Sequence, residues 1–194
     1  MKVLIIDCIK QETDSQTRIV LDKFIEGISS VGGKVKIIPV SDLDIKPCFS
    51  CTNQSSFEYS DKCRCDDDMN KLYPDFRNCE SWVFASHIDS SDSTNYLKNL
   101  LDRMEPLFQP IYTLDSGSVT FPSENKIHGK MILISSYEQE SIQLAKKVSE
   151  HIESISFLFA KEAADNILFD KSQIKDDRLE RIYELGRNFI NHER

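Results

Sequence analysis

Four short apolar runs, spaced by segments of helical period, constrain this chain more than anything else in its sequence. Lys2–Asp7 (KVLIID), Ser81–Ala85 (SWVFA) and Lys130–Ser135 (KMILIS) are continuous, and Lys34–Val40 (KVKIIPV) alternates into a fourth. Uninterrupted runs of this length suit strands covered on both faces. Between them, Ile19, Val20, Phe24, Ile25 and Ile28 share one helical stripe that stops at Gly32 and Gly33. A helix is predicted over 67–76, where Pro74 should end or kink it, and another through Leu97, Leu100, Leu101 and Met104, halted by Pro106. Leu144, Val148, Ile152 and Ile155 mark a further helix, and Leu179, Ile182, Tyr183, Leu185, Phe189 and Ile190 the last. Ser156–Ala160 (SFLFA) reads either as a fifth strand or as the tail of the helix before it.

Strands that alternate with helices demand a parallel sheet with right-handed crossovers, and five of them favour a doubly wound order. Ligands then bind beyond the carboxyl ends of the strands, so site residues are expected just after each one. A chain of 194 residues fits a single domain spanning 1–194. Two stretches read as long loops: Pro47–Cys65, which holds four cysteines, and Asp115–His128, rich in Ser, Asn, Gly and Pro. Loops this long in a compact domain are usually functional or disordered.

With 24 basic and 32 acidic residues the formal net charge is −8, a field that repels phosphate backbones and anionic membranes. Neither nucleic acid nor membrane is expected as a partner. The first apolar run meets Asp7 too soon for a secretory segment, and no stretch approaches the ~20 apolar residues of a membrane helix. The expected location is cytoplasmic. There the six cysteines would be thiols, metal ligands or redox groups rather than structural disulfides, with Cys8 and Cys79 read as ordinary buried residues.

The string Asp42-Leu43-Asp44-Ile45-Lys46-Pro47-Cys48-Phe49-Ser50-Cys51, followed by Cys63 and then Asp66-Asp67-Asp68-Met69, resembles the signature of the NADPH-dependent FMN reductases and the iron–sulfur flavoproteins. Tyr96–Met104 (YLKNLLDRM) looks like a helix of the same families, as do the Gly129-Lys130 pair before a strand and Leu185-Gly186-Arg187 near the end. The resemblance implies a flavodoxin-like three-layer sandwich, with a five-stranded parallel sheet in the order 2-1-3-4-5 and helices on both faces. It implies an FMN-dependent oxidoreductase that passes electrons from NAD(P)H to a quinone, flavin, cluster or other small acceptor. A homodimer or homotetramer is expected on the same ground.

Carried onto this sequence, the flavin loops of the family fall on three segments. Lys10, Ser15 and Thr17 lie where the FMN phosphate would meet a helix N-terminus, whose amides and dipole favour an anion. That stretch has no glycine and carries Glu12 and Asp14, which Lys10 or Arg18 would have to offset, and Ser15 serves equally well as an N-cap. Ser86, His87, Ile88 and Asp89 replace the loop that covers the flavin ring; His87 offers a flat face and a donor, or is a solvated loop residue. Ser135, Ser136 and Tyr137 form the third loop, where Tyr137 stacks on the ring or packs on the loop below. Because all three loops depart from the family pattern, a retained scaffold acting as a binding or regulatory module is the alternative.

Cys48, Cys51, Cys63 and Cys65 are the candidate metal ligands, a soft set for a [4Fe–4S] cluster or zinc, or else redox-active thiols. Iron–sulfur flavoproteins use a compact CxxCxxC pattern, and Gln54 stands at its third position here. No catalytic side chain is nominated, since a flavin carries its own chemistry. The chain has neither a GxSxG elbow nor a GxxxxGK[ST] loop, which sets aside nucleophilic hydrolases and P-loop NTPases.

Overall fold

A computed structural model describes residues 1–10, 15–49, 63–89, 92–107, 113–115, 118–120, 128–170, 174 and 176–190. Its elements run β1 (Lys2–Asp7), α1 (Ser15–Ser30), β2 (Lys34–Pro39), α2 (Met69–Asn78), β3 (Ser81–Ile88), α3 (Asp92–Asp102), β4 (Thr113–Asp115), β5 (Ser118–Thr120), β6 (Lys130–Tyr137), α4 (Ile142–Ser156), β7 (Glu162–Ala163), β8 (Ile167–Asp170) and α5 (Asp176–Phe189). The main sheet is parallel throughout, in the order β2-β1-β3-β6, and β7 and β8 follow one another along the free side of β6. This is the flavodoxin-like order, with the fifth position split between two short strands. Asn166 fills the break: its Oδ1 accepts the Leu133 N–H at 2.7 Å and its Nδ2 donates to the Ser149 carbonyl at 3.1 Å.

All four apolar runs are strands, and their side chains feed two cores. Leu4, Ile6, Phe84 and Leu133 pack beneath α2, α3 and α4, while Val3, Ile5, Val83, Ala85, Ile132 and Ile134 pack beneath α1 and α5. Ser156–Ala160, in contrast, forms no strand. α4 continues into a single 3-10 turn, Phe157–Phe159, and stops at Ala160 in the left-handed region (φ 52°). Phe159 lies four residues beyond Ile155 and so prolongs the helical stripe, and its ring meets Trp82 edge-on at 5.3 Å. The stretch 115–128 is not wholly loop either, because β4 and β5 pair as an antiparallel hairpin.

α2 runs through Pro74 to Asn78. Proline forfeits the bond to the Asn70 carbonyl, and the burial of Tyr73 and Phe76 offsets that loss. Trp82 closes the helix end, donating from Nε1 to the Phe76 and Cys79 carbonyls at 3.1 Å each. On the opposite face α1 and α5 cross backbone to backbone at two glycines. A Cβ on Gly27 would stand 2.1 Å from the Tyr183 carbonyl oxygen, and one on Gly186 would stand 2.2 Å from that of Phe24.

The amino edge of the sheet is sealed. Gly129 (φ 79°) presses so close to Glu80 that a Cβ would lie 2.0 Å from its carbonyl oxygen. Lys161 donates to the Glu80 and His128 carbonyls at 2.6 and 2.7 Å, its ammonium over the Trp82 ring and pushed down to about 8 by burial. The carboxyl edge is left for function. Among the described residues no helix is long and apolar enough to cross a membrane.

Candidate functional site

At the carboxyl edge β1 ends on a buried carboxylate. Asp7 accepts the Ile9 N–H at 3.0 Å and pairs with Arg18 at 2.6 Å, so Arg18 is engaged in turning the chain after β1. The Cys8 N–H continues the ladder to Ala85 at 2.8 Å, and the Cys8 side chain is fully buried, as expected. Lys10 is exposed on the segment leading to α1. Ser15 opens the helix, whose first turn contains no acidic residue, and Thr17 is buried within that turn.

β3 and β6 finish in register, with Ser86 beside Ser135, His87 beside Ser136 and Ile88 beside Tyr137. Side chains alternate between the two faces of a strand. His87 and Ser136 therefore point to the α1 side, above Ala85 and Ile134, and meet Thr17 there. The Thr17 hydroxyl donates to Ser136 Oγ at 2.5 Å, Ser136 Oγ lies 2.8 Å from His87 Nδ1, and His87 Nε2 faces an Asp89 carboxylate oxygen at 3.5 Å. Four residues from three elements and a strand-end loop thus form one polar network, in which Thr17, Ser136 and His87 are buried. His87 is neither solvated nor open-faced; its ring is held edgewise between a hydroxyl and a carboxylate.

On the other face Ser135 donates to the Ser86 carbonyl at 2.7 Å, and the Ile88 side chain lies wholly in the core, leaving only its backbone for a ligand. Tyr137 is half-buried at the end of β6, packed on the same core. The Asp89 N–H and carbonyl are both bound by Thr94 Oγ1, at 3.0 and 2.7 Å, which ties the end of β3 to α3.

The cysteine corner is organised by a residue that sequence reasoning missed. Arg103 grips Asp67 with two parallel bonds, Nη1 to Oδ2 at 2.8 Å and Nη2 to Oδ1 at 2.9 Å, and both side chains are fully buried. Its Nη1 also donates to the Lys46 carbonyl at 2.9 Å, and its Nε to Cys63 Sγ at 3.1 Å. Asp67 accepts the N–H groups of Lys46 (3.1 Å) and Met69 (3.2 Å) as well. Burial pushes the Asp67 carboxyl up, but the Arg103 guanidinium and these amides outweigh it and leave it below its usual range. Asp68 binds the Asp44 N–H at 2.9 Å, so the paired aspartates fasten the 42–47 segment to the start of α2. The signature that carried the family resemblance is, in its charged residues, a structural clasp. Cys48 is exposed, Cys63 and Cys65 are half-buried, and Cys51 lies outside the described residues. Burial and the neighbouring Cys63 sulfur push the Cys65 thiol up against the pull of Arg103. Among the described residues no group of three His, Cys, Asp or Glu side chains is placed to hold a metal ion.

A doubly wound parallel sheet, with a helix N-terminus and the ends of three strands gathered at its carboxyl edge, defines the flavodoxin-like class. Within that class the model of the NADPH-dependent FMN reductase family matches residues 1–170, and the chain belongs to that family. Solved structures agree on the fold. An NAD(P)H:quinone oxidoreductase from Methanothermobacter marburgensis superposes with a TM-score of 0.62 at 17% identity, covering 100% of this chain and 99% of its own. A flavone reductase gives 0.64 at 17% identity over 97% of this chain and 62% of its own. Oxidised flavodoxin 1 from Bacillus cereus gives 0.59 at 13% identity over 100% of both. No curated protein sequence matches the chain significantly.

Proposed function

We propose that this chain is an FMN-dependent oxidoreductase that moves electrons from NAD(P)H to a small acceptor such as a quinone or a free flavin. One observation carries the reading: the N-terminus of α1 meets the ends of β1, β3 and β6 at the carboxyl edge of the sheet, tied together through Thr17, Ser136 and His87. The donors present fit an anionic cofactor. The first turn of α1 has no carboxylate to repel a phosphate, and the Gln16 side-chain oxygen is buried there without a partner, so that a turn of its amide presents N–H groups.

Bound FMN supplies the ring that accepts and hands on hydride equivalents. The chain's own part is to hold and orient. Lys10, Ser15, Gln16 and Thr17 would line the phosphate end, while Ser86–Asp89 and Ser135–Tyr137 would border the ring, Ile88 through its backbone. The His87–Ser136 bond locks the relative position of those two borders, and the Asp89–Thr94 bonds anchor one of them to α3. Family membership and the oxidoreductase neighbours support the same assignment, and no observation favours a scaffold without flavin. By the same resemblance the working form is a homodimer or homotetramer, which sedimentation would test.

FMN titrated into the purified chain is expected to become bound, and NAD(P)H to be consumed when a quinone is added. At a hundredfold excess over its dissociation constant the cofactor should stabilise the fold by about 2.7 kcal/mol, read as a raised melting temperature. A chain that neither takes up FMN nor consumes NAD(P)H overturns the proposal.

A further inference from the structure

Cys63 and Cys65 stand two residues apart with their sulfurs hydrogen-bonded to each other, and both are half-buried, within reach of small molecules. Their environments differ. Arg103 Nε donates to Cys63 Sγ at 3.1 Å, whereas the described contact of Cys65 is to Cys63 itself. Arg103 has little freedom to turn away. Its two terminal nitrogens are spread across the Asp67 carboxylate, and one of them also holds the Lys46 carbonyl, so the fork geometry fixes the direction in which Nε points. A cationic donor locked onto one sulfur, with a second thiol bonded to that same sulfur, is the arrangement of an attacking cysteine and its resolving partner.

We infer that Cys63 and Cys65 form a reversible dithiol–disulfide couple that exchanges electrons with low-molecular-weight disulfides, Cys63 being the attacking sulfur and Arg103 its positioning residue. In the oxidising direction Cys63 gives up its proton and attacks one sulfur of the small disulfide. The S–S bond of that molecule breaks, a Cys63 mixed disulfide forms, and the departing thiolate takes up the proton. Cys65 then loses its proton and attacks Cys63 Sγ, closing the Cys63–Cys65 bond and releasing the second small thiol. The dithiol surrenders two electrons and two protons, and one small disulfide becomes two thiols. The bond between Arg103 and Cys63 orients the first step; its fork on Asp67 is untouched by either. None of this requires flavin, so the inference stands or falls apart from the function proposed above.

The full chain, equilibrated in glutathione buffers of rising oxidation, quenched with an alkylating agent and digested with trypsin, provides the test. Cleavage after Lys62 and Arg64 separates the two cysteines, and an oxidised couple leaves peptides 63–64 and 65–71 joined through sulfur. That linked pair should appear and should vanish again on reduction. In Cys65→Ser a glutathione adduct should accumulate on Cys63, and in Cys63→Ser adduct formation on Cys65 should be at least tenfold slower. Wild-type mapping alone decides the case should either variant fail to fold. Three results would overturn the inference: both thiols alkylated in buffers that oxidise other protein dithiols, a disulfide mapped instead to Cys48 or Cys51, or a metal ion retained through purification that shields both sulfurs.

Discussion

Arg103 commits Nε and both terminal nitrogens to protein groups, and three of those four bonds end on Asp67 or on the segment that Asp67 holds. Breaking a buried pair on one side strands the other charge, at a cost of about 3–5 kcal/mol. Asp67→Ala and Arg103→Met should each lower the urea midpoint by that amount. The double change to Leu and Met should be milder than either single one, because it strands nothing; a strictly additive double mutant would refute the clasp. The pair also sets an acid limit. Unfolded, the carboxyl titrates near 3.8, and in the folded chain it titrates lower. The unfolded state therefore binds more protons through that window, and stability rises with pH. The contribution is complete above the unfolded value and is lost as pH falls below it through the folded one. Midpoints compared at pH 5 and pH 3 in wild type and Asp67→Asn should show the steeper loss in wild type. The partners lie 36 positions apart with no periodicity to join them, so the sequence pattern marked both motifs without showing that each completes the other.

Helix against helix, the closest approach is that of α1 and α5. Alanine at Gly27 or Gly186 would drive a methyl into a facing carbonyl oxygen and push the elements apart, a strain of about 1–3 kcal/mol that the better helix propensity of alanine recovers only in part. Melting temperatures should fall for both, and the double substitution should cost less than the sum, since the first already parts the backbones. Unchanged melting for Gly186→Ala would rule out the tight crossing. At this scale most of the architecture was readable before any coordinates, because apolar runs and helical stripes follow directly from which faces are buried. What escaped has specific causes. β7 and β8 span two and four residues, too short to show a period, and Asn166 breaks the run between them with a side chain that takes over the work of a ladder amide. Phe157–Phe159 has strand composition but the phase of the helix that precedes it. In the site, the strand ends were predictable from topology alone, whereas the inward turn of His87 onto Ser136 depends on β3–β6 register, which no single segment encodes.

As a whole the molecule carries a net charge of −8, and a phosphate-bearing cofactor must approach against that field. Added salt shortens the reach of the repulsion. The association rate of FMN should therefore rise with ionic strength, while that of riboflavin, which lacks the phosphate, should stay level. A falling rate for FMN would mean that a local positive field governs entry instead. The margins of the sheet carry a different consequence. On one side β2 sets exposed Lys34 and Lys36 along its rim and ends at Pro39; on the other, β7 and β8 offer only a broken pair of stubs. Neither rim gives an invading strand a continuous row of amides to template on. Crowded copies of this chain are thus denied the route by which open parallel sheets seed fibres, and any lasting contact between subunits must be made by the helices.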